Sequence, residues 1–330
     1  MTHWVLGGAL LLIGLFVIIA LIMIRTQAQD VTVDISNATP TLSGGTAKII
    51  AGTTASTDGA ITAAGNVDPI TLTAGTTTAY SFVITATDTN GVADLDTEAT
   101  GIYFEDTTTA ACSADNNDCY RDIPGAAEAC QKVAIDATNT WYRCDFQLEY
   151  YTNASSDGAE AWDVDFSVED AADAGATYTA YTNEISELVA GTFPTVAFGS
   201  LALGASTTAG TNQDVTHQNQ GNDVIDYDVN LDDATIDCTT GTIPVGNVGW
   251  STDVGGGDAD SGSDDNTLTA VAQDLDIDIA VRTADGGTAG PNNPVVGGDD
   301  SVYSYWNISI PASGVLGSCT EGLTVAAKAN

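Results

Sequence analysis

Oily and polar residues alternate in short runs along most of this chain. AYSFVITATD sets Tyr80, Phe82, Ile84 and Ala86 against Ser81, Thr85 and Thr87. CDFQLEYY sets Cys144, Phe146, Leu148 and Tyr150 against Arg143, Asp145, Gln147 and Glu149. WDVDFSV opposes Trp162, Val164, Phe166 and Val168 to Asp163 and Asp165. VIDYDVNLDD points Ile225, Tyr227, Val229 and Leu231 one way and Asp226, Asp228, Asn230 and Asp232 the other. DLDIDIAV interleaves Leu275, Ile277 and Ile279 with Asp274, Asp276 and Asp278, and SVYSYWNISIP turns Trp306, Ile308 and Ile310 inward. A period of two predicts strands, and strands wet on one face belong to antiparallel sheets packed as sandwiches. Gly, Asn and Asp punctuate the runs; Asn90-Gly91 supplies the positive φ angles of a tight reversal. No segment beyond residue 30 has a helical period.

The pattern predicts an all-β chain of two tandem immunoglobulin-like sandwiches, 77–190 and 191–330. Their boundary falls in TNEISELVAGTFPTVAFGSLALGAS, read as a linker entering a new first strand. Residues 30–76, rich in Thr, Gly and Ala, are expected to form a stalk or first strands. The final strand, LTVAA, follows Cys319.

Ahead of them lies WVLGGALLLIGLFVIIALIMI, from Trp4 through Leu11 and Phe16 to Ile24, without a charge. As a helix it would reach roughly 31 Å, enough to cross a bilayer. It lacks the basic leader and short apolar core of an ordinary signal peptide. Residues 1–29 are therefore expected to be a transmembrane anchor or a pilin-like helix, with the rest outside the cell. Arg25 alone would favour a cytoplasmic following segment, but long domains translocate largely regardless of flanking charge.

Charge narrows the choice of partners. The 330 residues hold 7 Lys plus Arg against 45 Asp plus Glu, a net charge of −38. The acids are spread over both halves, which rules out a single acidic tail. Such a chain repels nucleic acid and anionic lipid. At 43% hydrophobic it is also too oily for a disordered polyanion. The six cysteines, Cys112, Cys119, Cys130, Cys144, Cys238 and Cys319, form no C-x-x-C pair, and His217 is the one histidine beyond the apolar segment. Disulfides in an oxidising compartment fit this better than zinc, with pairing expected inside each half and Cys238–Cys319 the firmest pair. The four upstream cysteines leave three connectivities open. Sequons at Asn37, Asn153 and Asn307 permit glycosylation.

Reactive chemistry finds little support. Alternate residues on a strand face stand about 7 Å apart, too far to share a proton or an ion without a neighbouring strand. The paired aspartates therefore read as the wet faces of sheets. His217 lies in a polar stretch, TNQDVTHQNQGN, and no nucleophile elbow, phosphate loop or metalloprotease motif is present. Calcium is the cofactor with some basis. Asp88, Asn90, Asp94 and Asp96 could converge around one turn, and Asp258, Asp260, Asp264 and Asp265 around another. Neither has EF-hand spacing.

Several motifs together carry a resemblance: TDTNGVADLD, CSADNNDCYR, CDFQLEYY, PTVAFGSLALGASTTAGTNQDVTHQNQGNDVIDYDVNL, CTTGTIPVGN and YSYWNISIPASGVLG. From about residue 80 to the end the chain resembles immunoglobulin-like cell-surface proteins of candidate-phylum bacteria and archaea, a group without an assigned activity. The resemblance implies export and a surface location. Its usual Gly-Thr-Tyr near the end is replaced here by Gly317-Ser318-Cys319, which implies that Cys319 fastens the last strand covalently.

The sequence thus reads as a non-enzymatic, membrane-anchored surface protein: a surface-layer, filament or adhesion subunit. Its expected partners are the membrane or a filament core through the N-terminal helix, further copies of itself, and a host or neighbouring cell surface. A pilin-like subunit is the alternative within that class. An extracellular glycan hydrolase or glycan-binding module is the alternative outside it, and the hydrolase requires two carboxylates converging in a cleft beside aromatic rings.

Overall fold

Most of the alternating runs form the strands they predict; Leu275–Ile279 does not. A computed structural model describes residues 37–95, 101–106, 119–122, 130–155, 161–207, 211–252, 266–279 and 301–330. The chain is all-β, built of several antiparallel sheets. Residues Ala38 to Asn330 form one compact unit. The apolar stretch Trp4–Ile24 lies outside the described residues; among those described, no helix is long and apolar enough to cross a membrane.

The first half contributes β1 (Thr41–Ala51), helix α1 (Asp58–Ala63), β2 (Thr78–Thr87), β3 (Gly101–Asp106), β4 (Cys119–Asp122), β5 (Gln131–Ala134), β6 (Asn139–Leu148), β7 (Trp162–Glu169) and β8 (Gly175–Asn183). They assemble into two sheets, in the orders β1-β2-β6-β5 and β4-β3-β7-β8. Both sheets contribute to one core: Phe82 and Ile84 of β2, Tyr142 and Cys144 of β6, Phe104 of β3, and Trp162, Val164, Phe166 and Val168 of β7. Its rings pack tilted, with Phe104–Trp162 at 4.8 Å and Phe82–Phe166 at 5.9 Å between centroids, the offset that aromatic quadrupoles prefer. Strand β7 alternates buried and half-buried residues without a break, oily residues in and Asp163 and Asp165 out.

Two departures from the expected alternation share one cause. Strand β2 is buried on both faces, including Ser81, Val83 and Thr85. Arg143 of β6, expected to face water, is 5% exposed. A second small core lies behind the first sheet, where Ile50, Ile61, Val83, Val133 and Trp141 meet. Its lid is α1, one turn and a half long, capped by the Thr57 hydroxyl accepting from the Ala60 N–H. Six residues are too few to show a helical period, so this cover leaves no mark in the hydrophobic pattern. The stretch expected as a stalk or first strands thus supplies β1, which pairs with β2.

The second half contributes β9 (Gly191–Thr192), β10 (Gln213–Asn219), β11 (Ile225–Leu231), β12 (Thr235–Thr240), β13 (Thr242–Pro244), β14 (Val248–Ser251), β15 (Asn266–Thr267), β16 (Gln273–Asp274), β17 (Ser301–Ile308), β18 (Leu316–Thr320) and β19 (Leu323–Ala329). Three sheets, ordered β15-β14-β17-β10-β9, β16-β11-β19 and β13-β12-β18, enclose a separate core around Tyr227, Trp250, Ile279 and Trp306. Leu188 packs on the first core and Val189 on the second. Asn222, 6% exposed, ties the halves together. Its Nδ2 donates to the carbonyls of Thr152 and Ser186 at 2.9 and 3.1 Å, and its Oδ1 accepts from the Leu188 N–H at 2.6 Å. The turn can come this close because residue 221 is glycine; a Cβ there would overlap the Leu188 carbonyl oxygen. The expected first strand of this half shrinks to the two residues of β9. Phe193 to Ala202 then run on without regular secondary structure.

Disulfides brace both halves. Cys238 of β12 is bonded to Cys319, directly opposite it on β18, and Cys130 is bonded to Cys144 of β6. Cys119 is also disulfide-bonded, and Cys112 lies outside the described residues. Cys319 therefore fastens the penultimate strand to β12; the last strand, β19, is held by its pairing with β11. The sequence separations are 81 and 14. Chain-entropy arithmetic gives about 4.5 kcal/mol for the longer closure and about 3 kcal/mol for the shorter. Replacing Cys238 and Cys319 together by Ala should thus lower the urea-unfolding free energy by more than replacing Cys130 and Cys144 together. Equilibrium denaturation of the two double variants checks the order.

Candidate functional site

Among the described residues, the aspartate-rich stretch Asp274–Ile279 forms the most charged constellation. Its alternation survives, because Leu275, Ile277 and Ile279 are buried while Asp274, Asp276 and Asp278 are exposed. The backbone beneath is not a plain strand. The Leu275 N–H donates to the Tyr227 carbonyl at 2.9 Å, and Ile279 exchanges both hydrogen bonds with Ile225. Residues 275–279 therefore lie along only three residues of β11. The slack is taken up by Asp276 and Asp278, whose φ angles of 52° and 40° place them in the left-handed region. Aspartate tolerates that region better than most residues. The midpoint, the Ile277 N–H, finds no backbone carbonyl and donates to Asp226 Oδ1 at 3.2 Å. Asp226 Oδ1 also accepts from the Tyr227 N–H at 2.6 Å. Asp226, expected in solvent, is therefore only 2% exposed, because the bulged strand passes over it. Carboxylate oxygens of Asp226, Asp276 and Asp278 come within 4.8 Å of one another. Strand period alone could not reveal this group, which depends on two left-handed residues and a partner some fifty positions away.

One cation faces this negative charge. Lys328 stands opposite Asp226 in the β11–β19 pairing. Its Nζ lies 3.0 Å from Asp228 and 3.8 Å from Asp226, and donates to Asp274. Asp274 and then Asp228 hold the ammonium pKa well above its usual range. Burial pushes Asp226 up to about 6, helped by its hydrogen bond with Asp274, and that bond together with Lys328 holds Asp274 below the usual carboxylate range. A second acidic face lies on the first half, where Glu105 of β3 sits opposite Asp163 of β7. Burial raises both, and Asp165 raises both further. Asp163 Oδ1 is buried without a hydrogen-bond partner.

The expected calcium turns are placed differently. Asp88 is fully buried; its Oδ1 accepts from the Asn90 N–H at 2.8 Å, while Oδ2 has no partner. Asn90 Oδ1 accepts from the Ala38 N–H, so it holds the edge of the sheet. Asp94 is half-buried, and the carbonyls of Val92 and Leu95 beside it are taken by the Lys132 ammonium. Asp96, Asp258, Asp260, Asp264 and Asp265 lie outside the described residues. Of the sequons, Asn37 is exposed. Asn153 and Asn307 are half-buried, and Asn307 packs across from Gly249 on β14. His217 is fully buried in β10 and shares a 2.6 Å hydrogen bond with Ser304 Oγ, which accepts from Trp306 Nε1. Phe193 and Tyr227 pack on its ring. Burial lowers its pKa to about 4, so the imidazole is neutral at pH 7 and serves the core.

The other notable surface is oily. A cleft of about 790 Å³ lies between the sheets of the second half, roofed by the segment from Thr195 to Leu203. Phe198, Leu231, Ile243, Trp306 and Leu323 help to line it, and Glu321 is its one carboxylate-bearing residue. Acid–base chemistry with two carboxylates therefore has no basis there.

No family model matches the chain, and no curated protein matches it. Among solved structures, the Streptococcus agalactiae AgI/II polypeptide BspA C-terminal domain aligns over 86% of this chain and 96% of its own length. The identity is 9% and the TM-score 0.21. A likeness at that level establishes neither a shared fold nor a shared function.

The ionisation of these faces has a definite sign. Asp226, Glu105 and Asp163 are raised on folding, so their contribution is full below the ordinary carboxylate range, near 4, and is lost as pH rises above it, for Asp226 through about 6. Asp274 is lowered, so its contribution is lost only as pH falls below that range. Stability should therefore peak at about pH 4 rather than at neutrality. In Lys328→Met the three carboxylates lose their cation. That variant should be weaker than wild type by roughly 1 kcal/mol at pH 7.5, a modest value because Lys328 is partly exposed. The deficit should persist at pH 4, where Asp274 is still ionised, and shrink toward zero only as pH falls toward about 2. Urea titrations of both proteins across that range measure it, and a deficit independent of pH would contradict the electrostatic account.

Proposed function

We propose that the chain is an exported, non-enzymatic structural or adhesive protein of the cell surface, built from two immunoglobulin-like sandwiches. The carrying observation is covalent: Cys238–Cys319 and Cys130–Cys144 close sheets whose outward positions carry carboxylates. Disulfides form and last in oxidising compartments. Two cores meeting near residue 188, each between antiparallel sheets, support the sandwich reading. The acidic faces keep the surface hydrated and gather hard cations such as Ca²⁺ as a diffuse atmosphere.

On this reading Trp4–Ile24 fixes the molecule in a membrane or in the core of a filament, and the sandwiches project from it as a surface-layer, filament or attachment subunit. Load would pass along hydrogen-bonded strands and across the disulfides. A glycan hydrolase is the less favoured reading, because the cleft of the second half is lined by a single carboxylate-bearing residue, Glu321.

Two measurements on cells that make the protein test the proposal together. Protease added to intact cells should cleave it, and thiol alkylation before lysis should leave its cysteines unlabelled until a reductant is added. A protein that is protected from protease and carries free thiols would refute the surface assignment.

A further inference from the structure

The oily cleft of the second half has an unfinished edge. From Thr195 to Leu201, among the described residues, the main chain makes no hydrogen bond to any other part of the chain. Oily side chains of this segment, Val196, Phe198 and Leu201, rest half-buried on the second core. At the rim, Leu203 is 54% exposed and Leu316 is 70% exposed. Five large hydrophobic side chains are exposed among the described residues, and these two border the same cleft. An apolar groove with an exposed oily rim of this kind marks an interaction surface.

Charge points to the occupant. In a chain of net charge −38, copies repel each other over most of their surface. Leu188 to Gln213 and Ser301 to Thr320 are the longest charge-free stretches beyond residue 30, and both contribute to this cleft. Here two copies can approach with the least repulsion. An apolar rim can also complement itself across a two-fold axis, where the same patch meets its own copy. In that arrangement the rim leucines of each copy reach the cleft of the other.

We propose that a second copy of this chain packs against the Thr195–Leu203 rim across a two-fold axis and closes the cleft. The proposal rests on the reading of the chain as an assembling surface protein and names the surface through which it assembles. A monomer displayed on the cell would refute the pairing and leave that reading standing.

The test uses the full chain in detergent micelles. Sedimentation should show a dimer that dissociates on dilution. Single cysteines placed at the exposed positions Thr195, Ala197, Ser200 and Ala202 should form covalent dimers under mild oxidation, with one position several-fold faster than the others because it lies nearest the axis. Leu203→Asp combined with Leu316→Asp should turn the dimer into a monomer and abolish the cross-link, while the unfolding midpoint stays at the wild-type value. Both side chains are exposed, so the double variant should fold. A chain that is monomeric at every concentration overturns the proposal. So does a dimer that survives the double variant or that cross-links at none of the four positions, which would place the contact elsewhere, the Trp4–Ile24 stretch included.

Discussion

A chain with more than six acids for each base can fold only if its few cations are placed where they hold the most structure. The four described basic side chains all work internally. Lys48 donates to the carbonyls of Ile61 and Ala64 at 2.7 and 2.6 Å, closing the C-terminal end of α1, and burial lowers its pKa. Lys132 gathers the carbonyls of Val92 and Leu95. Arg143 reaches the Ala55 carbonyl at 2.7 Å, Gln131 and Asp145. Lys328 stands among three carboxylates. Three of the four reach main-chain carbonyls, and only Lys328 is held by acids alone. The cations therefore act mainly as clasps on irregular backbone, and most of the acidity is left to water.

The carboxylates share in that backbone work. Asp136 turns β5 into β6 by accepting from the N–H groups of Thr138 and Asn139, and those bonds lower its pKa. Asp170 turns β7 into β8 by accepting from Ala172 and Ala174. Asp226 receives the Ile277 N–H that the bulge leaves without a carbonyl. In each case a short anionic side chain meets a donor that the strand ladder cannot satisfy. Abundant aspartate is thus a folding resource here as well as a surface charge. This explains why Asp dominates over Glu, whose longer side chain reaches local N–H groups less readily.

The residues show why the fold was readable and the site largely was not. The period of two in β7, β11 and β17 survives because each strand has one covered face, and periodicity reports coverage. It misreads β2 and β6, whose second face is covered by α1, a helix too short to leave a mark. It misplaces Asp226 and His217, because burial there comes from segments far away in sequence: the 275–279 bulge over one, Phe193 over the other. The opening between the sheets of the second half was equally hidden. PTVAFGSLAL falls in the stretch read as a linker entering a new first strand, and only the three-dimensional structure shows that, among the described residues, it joins no sheet.

The same charge that makes the cations scarce also shapes where the molecule can touch anything oily. Repulsion between acidic faces opposes close packing, and salt weakens it within about a Debye length of 8–10 Å. Hydrophobic contact, in contrast, is short-ranged and nearly indifferent to salt at these concentrations. A molecule that is acidic over most of its surface and charge-free along one cleft therefore separates the two functions in space. The acidic faces set a distance between neighbours, and the cleft sets a direction. Substituting surface acids should change how readily copies approach; substituting the rim leucines should change whether they stay.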